Sequence, residues 1–405
     1  MPGALQGVKV IGVTQVVAMP ACCSIMADWG ADVIKVEPLT GEWMRGLTTF
    51  LGTPLEREFD GGKVHCAFQL LNRNQRGLAV DLRHEQGREI VYKLVDQADV
   101  FISNYELNVL KRFGLDFVSL SQRNPRLIHA VLTGYGMEGP LKDERGYDYT
   151  AAWTRGGMMY LLGEAGGALP TQRPGLMDMV AAVHMAAGIC AALFEQGKTG
   201  LGQELTLSLY QTAVWTTGMD MQNALFGMPF PKNDRLRAPN PLWNTYLSKD
   251  GKWFQFAMAT EDYWPPFCQA VGRPDLENNP RFDTADNRMQ NSEELVGIVD
   301  RIMAERTAEE LERRFKECNL VYAFAISPME IAADTQALAD NFFVEVEHPI
   351  AGKAELVNST IKFSRTPATL RSVAPEVGQH TEEILLSLNY TWEEISQLKD
   401  QGVIL

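Results

Sequence analysis

A chain of 405 residues, 45% apolar and 22% charged, has the balance of a folded globular protein and the length for two domains. Its net charge of −14 argues against a general nucleic-acid binder, and any anionic ligand needs a local cluster of positive groups. Six cysteines without CxxC or Cys/His ligand spacing read as buried thiols of a reducing, cytoplasmic setting.

No signal peptide opens the chain, and no apolar run of about 18 residues appears, so no membrane partner is expected. Gly7–Val13 reads as a buried strand, Pro20–Trp29 as a helix ended by Gly30, and Asp32–Glu37 as a second strand. Strand, helix and strand within about 40 residues make a βαβ unit and predict a parallel sheet. Pro38–Gly62 is polar and looks like a surface excursion. Gly77–Leu82, Val100–Asn104 and Leu127–Leu132 continue as strands, with a helix over Gly87–Ala98. The fold class is therefore α/β with a doubly wound parallel sheet. Thr14–Pro20 lacks the GxGxxG fingerprint, so a nicotinamide dinucleotide fold is not supported.

Pro174–Gly202 organises the chain. Its small residues, among them Ala181, Ala182, Ala186, Ala187 and Gly188, suit a tightly packed helix stopped by C-terminal glycines. Asp178 sits at its mouth, where the ordinary reading is an N-cap. A strand with alternating pattern follows at Glu204. Tyr210–Phe226 is amphipathic and Met-rich, and a Pro-bearing linker leads into a hairpin across Trp243–Met258 with its turn at Lys249-Asp-Gly. Helices are expected at 261–272, 293–305, 307–317, 330–341, 380–388 and 391–400. The domain expectation is 1–215 for the first part of a large domain, 228–330 for a smaller α+β domain, and 345–405 for a return segment.

Site chemistry narrows by residue type. The six histidines show no paired metal-ligand spacing, so no metal is expected. There is no GxSxG elbow and no phosphate loop. Cys22 and Cys23 open a helix, which favours a thiolate, but their small apolar neighbours favour core packing. A carboxylate can attack an activated acyl group and form an anhydride, and Asp178 is the candidate that remains.

At this point the motifs resemble a family. Gly7-Val-Lys-Val-Ile, Met26-Ala-Asp-Trp-Gly-Ala-Asp-Val-Ile-Lys-Val-Glu and Asn72-Arg-Asn-Gln-Arg occur in order with Asp81-Leu-Arg-His-Glu-Gln-Gly-Arg and Val100-Phe-Ile-Ser-Asn-Tyr. Leu110-Lys-Arg-Phe-Gly-Leu, Thr133-Gly-Tyr-Gly-Met-Glu-Gly-Pro and Glu195-Gln-Gly-Lys-Thr-Gly-Leu-Gly-Gln complete the set. This series is similar to the class III coenzyme A transferases of the formyl-CoA/carnitine type.

The resemblance implies a large domain built from both chain ends and an interlinked, ring-like dimer, either a homodimer or a heteromer with a homologous subunit. It places the nucleophile on Asp178 and oxyanion donors on the backbone near Val16–Met19. Coenzyme A or acyl-CoA enters as substrate, with no permanently bound cofactor. Positions matching the family's CoA contacts are Val16, Asn72, Arg73, Asn74, Arg76, Asn104, Tyr105, Lys111, Arg112 and Tyr135. Val17 replaces the glutamine of oxalate enzymes, and their glycine-rich loop is absent, which points to an aromatic or branched acid. Trp153, Met158, Met159, Trp215, Met219 and Met221 are candidates for an apolar pocket, against the plain reading as core. Arg155 and Arg173 are candidate partners for a second carboxylate. An α-methylacyl-CoA racemase-like activity is the alternative, but Tyr147 stands where racemases need a histidine base. A catalytically silent subunit is a third reading.

Overall fold

A computed structural model describes residues 3–405. These divide into two compact units, residues 3–159 with Thr171–Met228 and Ala339–Leu405, and Tyr160–Pro170 with Pro229–Leu338. Segment 160–170 thus belongs with the second unit, unlike the expected split.

The first unit is built on six parallel strands: β1 (Lys9–Val13), β2 (Asp32–Glu37), β3 (Arg76–Ala79), β4 (Val100–Ser103), β5 (Ile128–Thr133) and β6 (Glu204–Ser208), in the order β6-β5-β4-β1-β2-β3. Strands β1, β2 and β4 are buried almost throughout, as strands covered on both faces must be. One face carries α1 (Ala18–Asp28), α2 (Cys66–Asn72), α6 (Leu176–Thr199) and α7 (Leu209–Thr216). The other carries α3 (Glu85–Val95), α4 (Leu107–Arg112) and α5 (Phe117–Arg123).

The chain end completes that second layer. Helices α12 (Thr381–Ser387) and α13 (Trp392–Asp400) bury Ile384, Leu385, Ile395 and Leu398 in its core. Each such side chain contributes about 1.5–3 kcal/mol. Asp81 N–H donates to the Val403 carbonyl at 2.9 Å, fastening the terminus to the sheet edge.

Helix α6 has the length and composition to cross a membrane, with an 18-residue window of mean hydropathy 1.8. This corrects the expectation that no such run exists. Its apolar character has a core explanation on one side: Ala181, Ala182, Met185, Ala186 and Ile189 pack in the same core as α1. Leu176, Met179, Val183 and Phe194 are exposed on it.

Three further expectations change. The excursion 38–62 holds a short 3-10 turn at Trp43–Gly46 and two small hairpins, and it dips inside near its start, where Glu42 and Met44 are buried, while residues 48–62 stay largely at the surface. Tyr210–Phe226 divides into α7 and α8 (Gly218–Leu225), where Thr216 and Thr217 hydroxyls bond back to carbonyls four residues earlier. Such bonds bend helices. The helix expected at 330–341 is two turns, Pro328–Ala332 and Thr335–Ala339, because the Asp334 carboxylate accepts from Ala337 N–H and starts a second one.

In the second unit, strands β7 (Thr245–Leu247), β8 (Trp253–Phe256) and β9 (Tyr322–Phe324) form an antiparallel sheet. Helices α9 (Trp264–Ala270), α10 (Ser292–Ala304) and α11 (Ala308–Glu317) share a core with it around Phe254, Phe256, Phe267 and Phe315. In the first unit's tail, β10 (Phe343–His348) and β11 (Gly352–Val357) pair as a hairpin.

Candidate active site

The strand order reverses between β1 and β4, and a doubly wound sheet binds ligands at the carboxyl ends flanking such a reversal. Two loops meet there. After β1 the chain runs Thr14–Val17 into α1; after β4 it presents Asn104 and Tyr105. Asn104 clamps the first loop, donating to the Gln15 carbonyl at 2.8 Å and accepting from Gln15 N–H at 3.0 Å. Ser103 Oγ donates to the Val13 carbonyl at 2.8 Å. Val16 takes a φ of 68°, and its N–H donates to Glu42 Oε2 at 2.5 Å. Burial, with Glu42 and Glu37 nearby, pushes the Tyr105 hydroxyl up to about 12.

The loop abuts the start of α6. Gly175, the residue before that helix, has a φ of 73°, and a Cβ placed on it would lie 3.1 Å from Val17 Cγ1. Glycine meets both demands, the left-handed backbone and the close approach. Asp178 is therefore the third residue inside α6 and not its N-cap, with its carboxyl partly buried. Burial pushes its pKa from 3.8 up to about 7, and the negative charge of Asp148 adds to the rise.

Sequence reasoning passed over Asp148. It opens a wide helical turn, Asp148–Thr154, and is buried. Its Oδ2 accepts from Met177 N–H at 3.3 Å, so a carboxylate faces the uncapped start of α6, where anions are favoured. The available signal was an acid immediately ahead of the mostly apolar run Tyr149–Trp153. A carboxyl near neutrality beside a second carboxyl is the arrangement of a basic, reactive oxygen that still ionises at neutral pH.

The other expected site residues separate into two groups. Val16, Asn104 and Tyr105 gather at the crevice. Tyr135 lies partly buried at the end of β5 and meets Tyr210 edge-on, ring centroids 6.4 Å apart. Lys111 and Arg112 are exposed in the last turn of α4. Arg73 and Asn74 are engaged with the chain's own tail. Arg73 pairs with Asp28 at 2.6 Å, both buried, and also donates to the Val357 carbonyl. Asn74, at φ 61°, donates to Asp28 and to the Thr369 carbonyl and accepts from the Arg371 and Ser372 N–H groups. Asn72 is fully buried. Arg73 and Asn74 sew the tail to the body of the unit, while Asn72 donates to the Phe68 carbonyl at 3.3 Å inside its own helix. Arg76 pairs with Asp32 and Glu383.

The apolar pocket candidates differ in exposure. Trp153 is buried, whereas Trp215 and Met219 are 71% and 87% exposed. Arg173 donates to Thr53 Oγ1 at 2.7 Å, and Arg155 lies over the Tyr210 ring. Cys22 and Cys23 are fully buried, and burial raises both thiols, Cys23 to about 12, so neither is a nucleophile.

This is an α/β enzyme whose crevice is organised around carboxyl groups instead of a glycine-rich phosphate loop. Residues 5–381 match CoA-transferase family III, and the chain belongs to that family of enzymes. It is 33% identical over 401 residues to the (R)-2-hydroxy-4-methylpentanoate CoA-transferase of Clostridioides difficile, covering 99% of both chains. It is 32% identical to the cinnamoyl-CoA:phenyllactate CoA-transferase of Clostridium sporogenes, covering 98% of this chain and 97% of that one. Among solved structures, a CaiB/BaiF family protein from Brucella suis superposes with a TM-score of 0.85 at 27% identity, over 96% of this chain and 100% of the other.

Proposed function

We propose that the enzyme moves coenzyme A from an acyl-CoA to an aromatic or branched carboxylic acid through covalent intermediates on Asp178. The carrying observation is a partly buried carboxyl pushed up to about 7, on the helix whose start abuts the switch-point loop. Its oxygen attacks the thioester carbon, expelling CoA thiolate and leaving an aspartyl–acyl anhydride. The thiolate attacks the aspartyl carbonyl and releases the donor acid, giving an aspartyl–CoA thioester. The acceptor carboxylate attacks that carbonyl, CoA thiolate leaves again, and its attack on the acceptor's acyl carbon frees Asp178. Each tetrahedral state needs oxyanion donors, and the N–H groups at the start of α1 are the candidates: no side chain caps them.

The acceptor assignment is supported by the two relatives named for a branched 2-hydroxy acid and for phenyllactate. Val17 supports it too, being apolar where a short diacid needs a polar contact. Lys111 and Arg112 are the exposed cations we assign to CoA phosphates. A second copy of the chain as an interlinked partner is supported by the apolar surface left open on α6, α7 and α8 and just beyond, including Val183, Phe194, Trp215 and Phe226.

The test is trapping. Wild type incubated with acyl-CoA and hydroxylamine should gain a hydroxamate on Asp178, seen by peptide mass spectrometry. Asp178→Ala should lose both label and turnover with its fold intact. Labelling of another carboxylate sinks the assignment.

A further inference from the structure

The loop beside the nucleophile's helix is held in a shape its own sequence resists. Six non-glycine residues with positive φ occur among the described residues; four are asparagine, and Val16 is the one that is β-branched. A β-branched side chain at φ 68° crowds its own backbone, so an outside agent must hold it there.

That agent is Glu42. One carboxylate oxygen accepts from Val16 N–H at 2.5 Å. The other takes Lys35 Nζ at 2.7 Å, and the two side chains are 1% and 0% exposed. Lys35 Nζ also lies 3.4 Å from the Thr14 carbonyl, so both ends of the strained turn are gripped. Glu42 is aimed in turn: its own N–H donates to Glu37, whose carboxylate Arg45 holds by two bonds of 2.8 and 2.7 Å. A buried ion pair is a poor device for stability, since apolar side chains of similar volume generally replace it without loss. Its value here is geometric. The residue after Val16 is Val17, which meets Gly175 at the start of Asp178's helix.

We infer that Glu42, backed by Lys35, is a positioning residue of the transfer reaction: it holds Val16 in the left-handed conformation and so fixes the Gln15–Val17 wall against the nucleophile's helix. This rests on the CoA-transferase reading above. Glu42 touches no substrate. It acts through the backbone of the loop.

Three variants test it. Lys35→Met/Glu42→Gln removes both buried charges but keeps an oxygen for Val16 N–H. Lys35→Met/Glu42→Leu removes the acceptor as well. The third adds Val16→Gly to the Leu variant, because glycine adopts the conformation unaided. The Gln variant should keep kcat within about threefold of wild type, while the Leu variant loses about tenfold or more, as displaced site walls do. KM for acyl-CoA should stay within about threefold, since ground-state binding is not what the loop supplies. Val16→Gly should return most of the lost kcat. The two double variants should melt together, and hydrogen exchange over residues 14–19 should be fast only where the acceptor is gone. Equal kcat or equal exchange in the two double variants overturns the inference, as does a glycine variant that recovers nothing. A wild type inert toward every acyl-CoA and acid would overturn the transferase reading instead, and the exchange comparison would still decide whether Glu42 holds the loop.

Discussion

Asp178→Asn should silence the enzyme and, above neutral pH, stabilise it. The carboxyl's ordinary value is 3.8, and in the folded chain it stands at about 7. Each pH unit of that displacement is worth about 1.4 kcal/mol, giving a ceiling of about 4 kcal/mol. Asp178 is only partly buried, so solvent screening reduces the figure to about 2 kcal/mol. The sign follows from linkage. A carboxyl whose folded pKa is raised holds its proton more tightly in the folded state, so its contribution is complete below about pH 4 and is lost as pH rises through about 7. Asparagine has no such titration. Thermal melts of wild type and variant should therefore coincide near pH 4 and separate above pH 7 by a few degrees, with asparagine the higher, given a shift of about 2 kcal/mol in a large chain. The assay is Tm across that pH range, with transfer activity measured alongside. A variant that melts with wild type at every pH, or below it at high pH, refutes the argument that Asp178 is held against its preferred charge state.

Two further outcomes test the surroundings. The kcat/KM of wild type should fall on the acid side with a midpoint near 7, and Asp148→Asn should move that limb to lower pH by removing the second cause of the raised pKa; burial, the larger cause, keeps it above the ordinary carboxylate range. A limb that stays put means the two carboxyls do not sense each other. Arg73→Ala leaves Asp28 buried and unpaired, which costs about 3–5 kcal/mol, and should expose segment 357–372 to protease while KM for acyl-CoA is unchanged. A raised KM with an unaltered melt would mean that Arg73 reaches CoA and not the tail.

What the sequence reveals and what it hides divide along a physical line. Runs such as Asp32–Glu37 and Val100–Ser103 announce parallel strands because burial on both faces leaves a nearly continuous apolar signature, and the α/β class follows from it. Asp178 stands out because it is an acid at the head of an Ala- and Met-rich helix. Its exact place is hidden by a competing rule: acids are strong N-caps, but Gly175 takes that position, since the loop before α6 needs a left-handed residue and Val17 leaves no room for a Cβ. The contacts of Arg73 and Asn74 are hidden for a related reason. A cationic and amide-rich stretch has the same composition whether it holds a phosphate or a buried carboxylate, and the deciding partners, Asp28 and the carbonyls of Val357 and Thr369, lie tens to hundreds of residues away. Lys35 and Glu42 are the subtler case. A lysine inside Val33-Ile-Lys-Val is conspicuous, because a lone charge in a two-sided buried strand is untenable without a partner. That partner sits in a polar stretch that reads as surface, and only the folded chain shows that Glu42 turns inward to take both the lysine and the Val16 amide. Local pattern thus locates the scaffold and the reactive acid, while the groups that hold and tune them are fixed by long-range pairing, which no spacing rule encodes.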